Sequence, residues 1–315
     1  MKHIRILSPA SAIDPQWINR ARTRLEQWGF VVSVSEHANG NIGRFSAPDA
    51  LRVADLNAAF ADPIVDIILC SRGGYGLQRI LDQIVLPKRP KDQWPLVVGY
   101  SDITALHNLL SMHGVVSLHA NMCKDLSLLP DDDVALSAER ECLISDNIPS
   151  PLSLTSHVLP LTYHPSPHHA NIPYTIHHTS TSPLNRSGEA RGKLIGGNLS
   201  VLYGLQGTPY SLTKVIEQCP EPPILFIEDI SENHYHIDRM LHNLRMSAVF
   251  ERIGGLVIGE FTDCPDDASM GCTLRESIRQ IVEPYTFPVL FDYPSGHIDS
   301  NYPLLLSADY HLLVP

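Results

Sequence analysis

Apolar positions in this chain fall into short continuous runs, separated by stretches with helical spacing. Ile4–Ser8 is a largely apolar run ending in Pro-Ala-Ser. From Pro15 to Trp28, the residues Ile18, Ala21, Leu25 and Trp28 share one helical stripe, and Gly29 stops it. Val31–Val34 reads as a second strand and Leu51–Ala61 as a helix. Ile64–Cys70 is apolar except for Asp66, the pattern of a strand buried on both faces of a parallel sheet. It runs into Ser71-Arg72-Gly73-Gly74-Tyr75-Gly76, and a helix is predicted over Leu77–Ile84. Leu96–Tyr100 is the next strand, followed by Ser101-Asp102, a helix through Leu110, and a strand at Val115–Leu118. Strands alternating with helices at this spacing predict an α/β fold with a doubly wound, mostly parallel sheet.

The pattern changes near residue 147. Residues 147–190 are rich in Pro, Ser, Thr and His with little helical periodicity, and read as a linker with some extended structure. A second unit begins near Arg191 with a strand at Gly192–Ile195, a Gly-Gly-Asn turn and a Leu/Val run to Leu205. It continues with a strand at Ile224–Ile227, a helix near Ile237–Phe250, a strand at Gly255–Gly259 and a helix at Leu274–Glu283. Strands are predicted at Pro288–Leu290 and within Leu304–Leu313. The expected organisation is an N-terminal α/β domain over 1–146, a linker over 147–190, and a smaller, strand-rich α+β domain over 191–315.

Composition narrows the classes. The chain has 315 residues, 43% of them hydrophobic and 18% charged, enough apolar content for packed cores and too little charge for a disordered polyampholyte. Lys plus Arg number 23 against 34 Asp plus Glu, a net charge of −11, which disfavours general binding to nucleic acid or anionic membranes. No run approaches the roughly 18 apolar residues of a membrane helix. The N-terminal run reads as a strand and not a signal peptide. Six scattered cysteines without a CxxC pair point to a reducing cytoplasm.

Chemistry concentrates at strand ends. Val97-Val98-Gly99-Tyr100-Ser101-Asp102-Ile103-Thr104 takes a buried strand through Gly-aromatic-Ser directly into a helix. That is the order of a nucleophile elbow, in which a tight turn exposes a serine hydroxyl beside a helix N-terminus. The bland reading is a helix cap, with Ser101 or Asp102 satisfying backbone N–H groups. The glycine loop Ser71–Gly76 lacks the order of a P-loop or a dinucleotide site. Its reading is either a tight βα turn or a loop that aims N–H groups at an oxyanion. Ile224–Ile227 ends in Glu228-Asp229, and a carboxylate at a buried strand end needs a partner. His297 lies in the loop Pro294-Ser295-Gly296-His297. Of sixteen histidines, the densest groups are His168-His169, His177-His178 and His234-x-His236, and none has the spacing of a zinc site. No metal or other cofactor is expected.

Seven pieces in order, from Ser8-Pro-Ala-Ser11 through Ser71–Gly76, Gly99–Thr104, Gly192–Leu199, Gly207-Thr-Pro209 and Phe226–Asp229 with Ile237–Met240 to Gly296-His297, resemble the LD-carboxypeptidase family of serine peptidases. The resemblance implies Ser101 as nucleophile, His297 as its base and Glu228 as the acid that orients the imidazole. It implies a site formed between the domains and cleavage of the L,D-bond before the terminal D-alanine of a murein tetrapeptide. It also implies a cytoplasmic homodimer. The expected oxyanion donors are the N–H groups of Gly74 and Asp102, with Arg72 a candidate for the substrate carboxylate. The segment around Pro160–Ser182 departs from the family pattern. Two alternatives follow. Microcin C immunity proteins resemble the same scaffold and hydrolyse peptidyl- or aminoacyl-nucleotides, which calls for an aromatic platform. Trp17, Trp28 and Trp94 all lie in the N-terminal part, remote in sequence from Glu228 and His297. A non-catalytic ligand-binding module is the alternative of another class.

Overall fold

The structure, a computed structural model, describes residues 1–145, 174–177 and 182–315. It divides into two compact units, one of Met1–Ile144 with Asp299–Leu305, the other of Ser145–Ile298 with Leu306–Pro315.

In the first unit β1 (His3–Leu7), α1 (Pro15–Gln27), β2 (Val31–Val34), α2 (Asp49–Ala61), β3 (Ile67–Cys70), β4 (Leu96–Val98), α3 (Thr104–Met112) and β5 (Ser117–His119) alternate as the sequence predicts. Two further helices, α4 (Cys123–Leu128) and α5 (Val134–Ile144), follow. Asp14 caps α1 by accepting from the Gln16 N–H at 2.9 Å, and Ile18, Ala21 and Leu25 are its buried face. Every residue of β3 is buried, as the apolar run requires. The strand is shorter than Ile64–Cys70, however. Ile64 is exposed, and the Asp66 carboxylate accepts the His3 N–H at 2.7 Å, so this residue tethers the start of β1 instead of extending β3.

The predicted helix Leu77–Ile84 is corrected. Two 3₁₀ turns, Leu77–Arg79 and Leu81–Gln83, take its place. Leu77, Ile80 and Leu81 are buried, which satisfies the helical-looking spacing. Gly76 at φ 140° opens the segment, and Pro87 and Pro90 follow too soon for a regular helix to extend.

The second unit has β6 (Tyr174–His177), β7 (Gly188–Asn198), α6 (Leu199–Gly204), α7 (Leu212–Ile216), β8 (Ile224–Ile230), α8 (His234–Met246), β9 (Gly255–Thr262), α9 (Leu274–Ile281) and β10 (Val289–Leu290). The chain closes with β11 (Leu304–Leu306) and β12 (Asp309–Val314). Part of the stretch read as a linker is therefore sheet, since β6 pairs with β12 and β7 starts at Gly188. The histidines at 168, 169 and 178, and the rest of the Pro/Ser/His-rich segment, lie outside the described residues.

Among the described residues each unit carries one six-stranded sheet, in the orders β11-β5-β4-β3-β1-β2 and β10-β9-β8-β7-β12-β6. Strands β1 to β5 pair in parallel in the first sheet. In the second, only the β7–β12 pair is antiparallel among the pairings recorded for β6 to β10 and β12. Parallel sheets put the carboxyl ends of successive strands along one edge, where loops collect. Ser71–Gly76 and Gly99–Asp102 thus share one edge of the first sheet, while Glu228 lies near the carboxyl end of β8 in the second. Among the described residues, no helix is long and apolar enough to cross a membrane.

Beneath the elbow, His107 of α3 is wholly buried. Its Nε2 bonds the Gly99 carbonyl at 2.8 Å and its Nδ1 the Ser117 hydroxyl at 2.8 Å. Nε2 must be the protonated nitrogen, because a carbonyl only accepts. Burial holds this imidazole neutral, pushing its pKa down to about 4, while the bond to Gly99 pulls the other way. An unfolded imidazole takes its proton near pH 6.5. The contribution of His107 is therefore complete above about pH 6.5 and is lost as pH falls toward 4, on the order of 3 kcal/mol over that range. The buried Glu139 carboxyl, raised well above the usual range by burial, acts with the opposite sign. The test is thus a difference between proteins. Denaturant titrations of wild type and His107→Gln between pH 4 and 7 should show a shallower acid loss for the variant. Parallel curves would mean that His107 titrates normally.

Candidate active site

Gly99 has φ 154° and Ser101 has φ 65°, with extended Tyr100 between them. A non-glycine residue in left-handed backbone costs about 1–2 kcal/mol and persists only when its surroundings enforce it. Here the surroundings are glycine-dependent. A Cβ on Gly99 would stand 2.9 Å from Ile103 Cγ1 and 3.2 Å from Cys70 Cβ. A Cβ on Gly73 would stand 2.7 Å from Ser101 Cβ and 3.0 Å from its Oγ. Glycines at both positions let two loops close on one serine hydroxyl. The Gly99 carbonyl is held from below by His107.

Helix capping, the bland reading of Ser101-Asp102, does not account for the segment. A 3₁₀ turn, Ser101–Ile103, precedes α3, and neither start carries a side-chain cap. The Asp102 carboxylate reaches away from its own helix: Oδ2 accepts the Leu77 N–H at 2.9 Å. Burial raises the pKa of this carboxyl, opposed by the Leu77 N–H, the Arg52 charge and the Gly76 N–H.

Ser8-Pro-Ala-Ser11 holds the glycine loop from the other side. The Ser11 N–H donates to the Gly73 carbonyl at 3.2 Å, and the Ser11 hydroxyl accepts the Tyr75 N–H at 3.0 Å. The Ser8 and Ser71 hydroxyls bond at 2.6 Å. Gly74 has φ 90°, and a Cβ there would meet Ser11 Oγ at 2.5 Å. Arg72 is exposed beside it, one guanidinium nitrogen donating to the Ala12 carbonyl at 2.9 Å. Sequence reasoning gave Ser11 no role and missed Arg52 altogether. The available signal for Arg52 was a cation in the buried stripe of α2, with Leu56, Ala59 and Phe60.

In the second unit Glu228 is wholly buried, and its Oε2 lies 2.7 Å from His297 Nδ1. A carboxylate only accepts, so Nδ1 carries the proton and Nε2 is left as the basic nitrogen. Two features aim this pair. The β8–β9 register shifts between Ile227 and Asp229, an irregularity at Glu228 that re-aims its side chain. Gly296, at φ 131°, lies so close that a Cβ would stand 3.0 Å from Glu228 Cβ. Asp229, the neighbouring acid, has other work. It accepts from Asn198 Nδ2 at 3.0 Å, the Ser200 N–H at 2.9 Å and the Ser200 hydroxyl at 2.7 Å, tying the end of β7 to β8. Burial pushes its pKa up to about 6, with the Ser200 bond opposing and the Glu228 charge adding.

The His234-x-His236 pair diverges. His234 is buried, with Nδ1 accepting the Asp267 N–H at 3.3 Å and Nε2 on the Ser277 hydroxyl at 2.7 Å. His236 Nδ1 meets the Glu232 carboxylate at 2.9 Å. Among the described residues no group of His, Cys, Asp and Glu could hold a metal ion.

Residues 4–120 match the LD-carboxypeptidase N-terminal domain and residues 191–312 the LD-carboxypeptidase C-terminal domain. A probable murein peptide carboxypeptidase of Bacillus subtilis is 30% identical over 97% of this chain and 86% of its own length. The chain belongs to the LD-carboxypeptidase family. It is thus a hydrolase of the peptidase class. The murein tetrapeptide carboxypeptidase of Pseudomonas aeruginosa is 27% identical, over 95% of this chain and 89% of its own. Among solved structures, the muramoyltetrapeptide carboxypeptidase from Oxalobacter formigenes superposes with a TM-score of 0.77 at 24% identity, covering 100% of this chain and 96% of that one. The microcin C7 self-immunity protein MccF, solved with glutamyl sulfamoyl guanosine, gives 0.74 at 18% identity, covering 98% and 92%. Both are likenesses of fold.

The Glu228–His297 geometry rests on Gly296, which gives a test without substrate. Gly296→Ala forces a Cβ into Glu228 and strains the backbone by about 1–3 kcal/mol. The low-field proton resonance of a carboxylate-bonded imidazole Nδ1–H should vanish in the variant. Its persistence at the wild-type position would show that the loop absorbs the methyl group.

Proposed function

We propose that this family member is a serine-type LD-carboxypeptidase that removes the terminal D-alanine from murein tetrapeptides, with Ser101, His297 and Glu228 as its triad. The observation that carries the reading is the wholly buried Glu228 carboxylate on His297 Nδ1, which leaves Nε2 as a base. The left-handed Ser101, held at the carboxyl edge of a parallel sheet, supplies the matching nucleophile. His297 Nε2 takes the Ser101 proton as Oγ attacks the carbonyl carbon of the L,D-bond. The tetrahedral oxyanion is met by the N–H groups of Gly74 and Asp102. The C–N bond breaks as the imidazolium gives its proton to the departing D-alanine nitrogen, and Glu228 stabilises the imidazolium in between. Water, activated by His297, then attacks the acyl-serine and releases the tripeptide. Arg72 is exposed beside Gly74 and is the candidate partner for the terminal carboxylate, which a guanidinium binds with two parallel bonds. All six cysteines are free thiols, which fits the cytoplasmic location this reading carries, together with homodimeric assembly.

Mass spectrometry of a muramyl tetrapeptide incubated with the protein should show loss of one alanine. A tetrapeptide whose terminal D-alanine is amidated should be spared. Equal cleavage of both would make the enzyme an endopeptidase or amidase, and turnover of an aminoacyl sulfamoyl adenosine in place of the tetrapeptide would favour the microcin-type activity.

Ser101→Ala should lower kcat by several orders of magnitude with the fold intact. Glu228→Gln keeps the shape and removes the charge, so its loss should be smaller. The double variant should be little worse than Ser101→Ala, because the residues act as a unit. A folded Ser101→Ala protein retaining more than about a tenth of the wild-type rate would remove the triad.

A further inference from the structure

The mechanism above uses the backbone N–H of Asp102 and leaves its carboxylate idle. Yet this side chain is only 4% exposed and is bonded to the other loop of the site. It accepts the Leu77 N–H at 2.9 Å, three residues beyond Gly74. The same peptide segment is gripped from its carbonyl side by Arg52, which is 1% exposed. One Arg52 nitrogen donates to the Gly76 carbonyl at 3.2 Å and to the Pro9 carbonyl, just before Ser11. Arg52 lies over the Phe45 ring at 4.8 Å and is paired with Asp49, so its plane is fixed. Gly76 has no freedom to shift: a Cβ there would stand 2.9 Å from Arg52 Nη1 and 3.0 Å from Phe45 Cε1.

We propose that the Asp102 carboxylate is a positioning residue that sets the spacing of the two oxyanion donors. Its main-chain N–H is one donor. Its side chain fixes the loop that carries the other, the Gly74 N–H. One residue thus measures the gap from the elbow to the glycine loop, and Arg52 closes the clamp from the far side. A carboxylate suits the role better than an amide, because it offers only acceptors and turns no donor toward the loop's N–H groups. Bonds to a charged acceptor are also shorter and about twice as strong as neutral ones. The nearby Arg52 guanidinium offsets the cost of burying the charge.

The proposal rests on the serine mechanism, and its test separates the two. Wild type, Asp102→Asn and Asp102→Ser are each treated with a fluorophosphonate, and the adduct is mapped by mass spectrometry. Each is also titrated with a peptide boronate, which mimics the tetrahedral state, and with an uncleavable substrate analogue. In Asp102→Asn the charge is lost and the bond to the Leu77 N–H becomes a weaker, neutral one, so the Gly74 donor moves by a fraction of an ångström to about 1 Å. Misplacement on that scale costs about 10²-fold. The expected result is a kcat/KM lower by about 10²-fold, boronate affinity reduced by a matching factor, and unchanged affinity for the substrate analogue. Asp102→Ser, smaller and uncharged, should fall in the same way and serves if the Asn variant does not fold. A loss confined to melting temperature, or falling equally on the substrate analogue and the boronate, would overturn the positioning role while an adduct on Ser101 keeps the serine mechanism. Absence of the adduct from Ser101 in the wild type would overturn both.

Discussion

The first unit is organised around one strained residue. Ser101 at φ 65° cannot be left-handed for its own sake, since β-region and helical backbone lie lower by about 1–2 kcal/mol. The conformation is enforced by contacts on several sides. Ile103 and Cys70 close over Gly99, the Gly73 backbone lies against Ser101 itself, His107 holds the Gly99 carbonyl, and Asp102 is pulled toward Leu77. The contacts come from the elbow's own 3₁₀ turn, α3, the end of β3 and the glycine loop, gathered at one sheet edge. Removing any of them frees the turn to relax toward ordinary backbone, which would swing the hydroxyl away from the glycine loop.

The second unit meets a different constraint, two adjacent acids at the end of a buried strand. Successive residues of a strand face opposite sides, so Glu228 and Asp229 cannot share one partner set. The chain gives each its own. Asp229 takes three donors from the β7–α6 junction and becomes a structural tie. Glu228 is bonded to His297, so its burial depends on an imidazole proton. A carboxylate held this way in low dielectric interacts strongly with charge on the ring. That is the physical basis for reading the pair as an acid–base unit and the neighbouring Asp229 as scaffold.

Much of this was legible in sequence because short apolar runs and helical stripes report local burial. The Ile18, Ala21, Leu25 stripe and the four residues of β3 read correctly for that reason. The elbow was legible as a spacing, Gly-aromatic-Ser between strand and helix, and the resemblance supplied Glu228 and His297. What sequence could not carry were long-range partners. Nothing local in Leu304–Leu306 shows that it joins the first sheet beside β5. Nothing local in Leu77–Ile84 shows that the Leu77 N–H is taken by the Asp102 carboxylate. Asp66 looked like a flaw in a strand and instead ties down β1. Arg52 sits at a core position of α2, where a sequence reading expects an apolar residue, because its partners are carbonyls from two other loops.

The departure from the usual Gly-x-Ser-x-Gly elbow follows from the same contacts. Where that pattern has its second glycine, this chain has Ile103, which is wholly buried. The Ile103 side chain packs back onto Gly99, at the distance where a Gly99 Cβ would clash. One glycine therefore clears the space and the isoleucine fills it, which locks the turn by packing where a glycine pair would leave it permissive. The position after the serine is then free to carry a functional side chain. Asp102 uses it to reach the glycine loop, so the backbone freedom given up at Ile103 is replaced by a charged anchor between two loops. An elbow built this way has less local flexibility, and its geometry depends on the loop it is bonded to. Small changes at Gly76 or Arg52, remote from Ser101 in sequence, should therefore be felt at the elbow as strongly as changes within it.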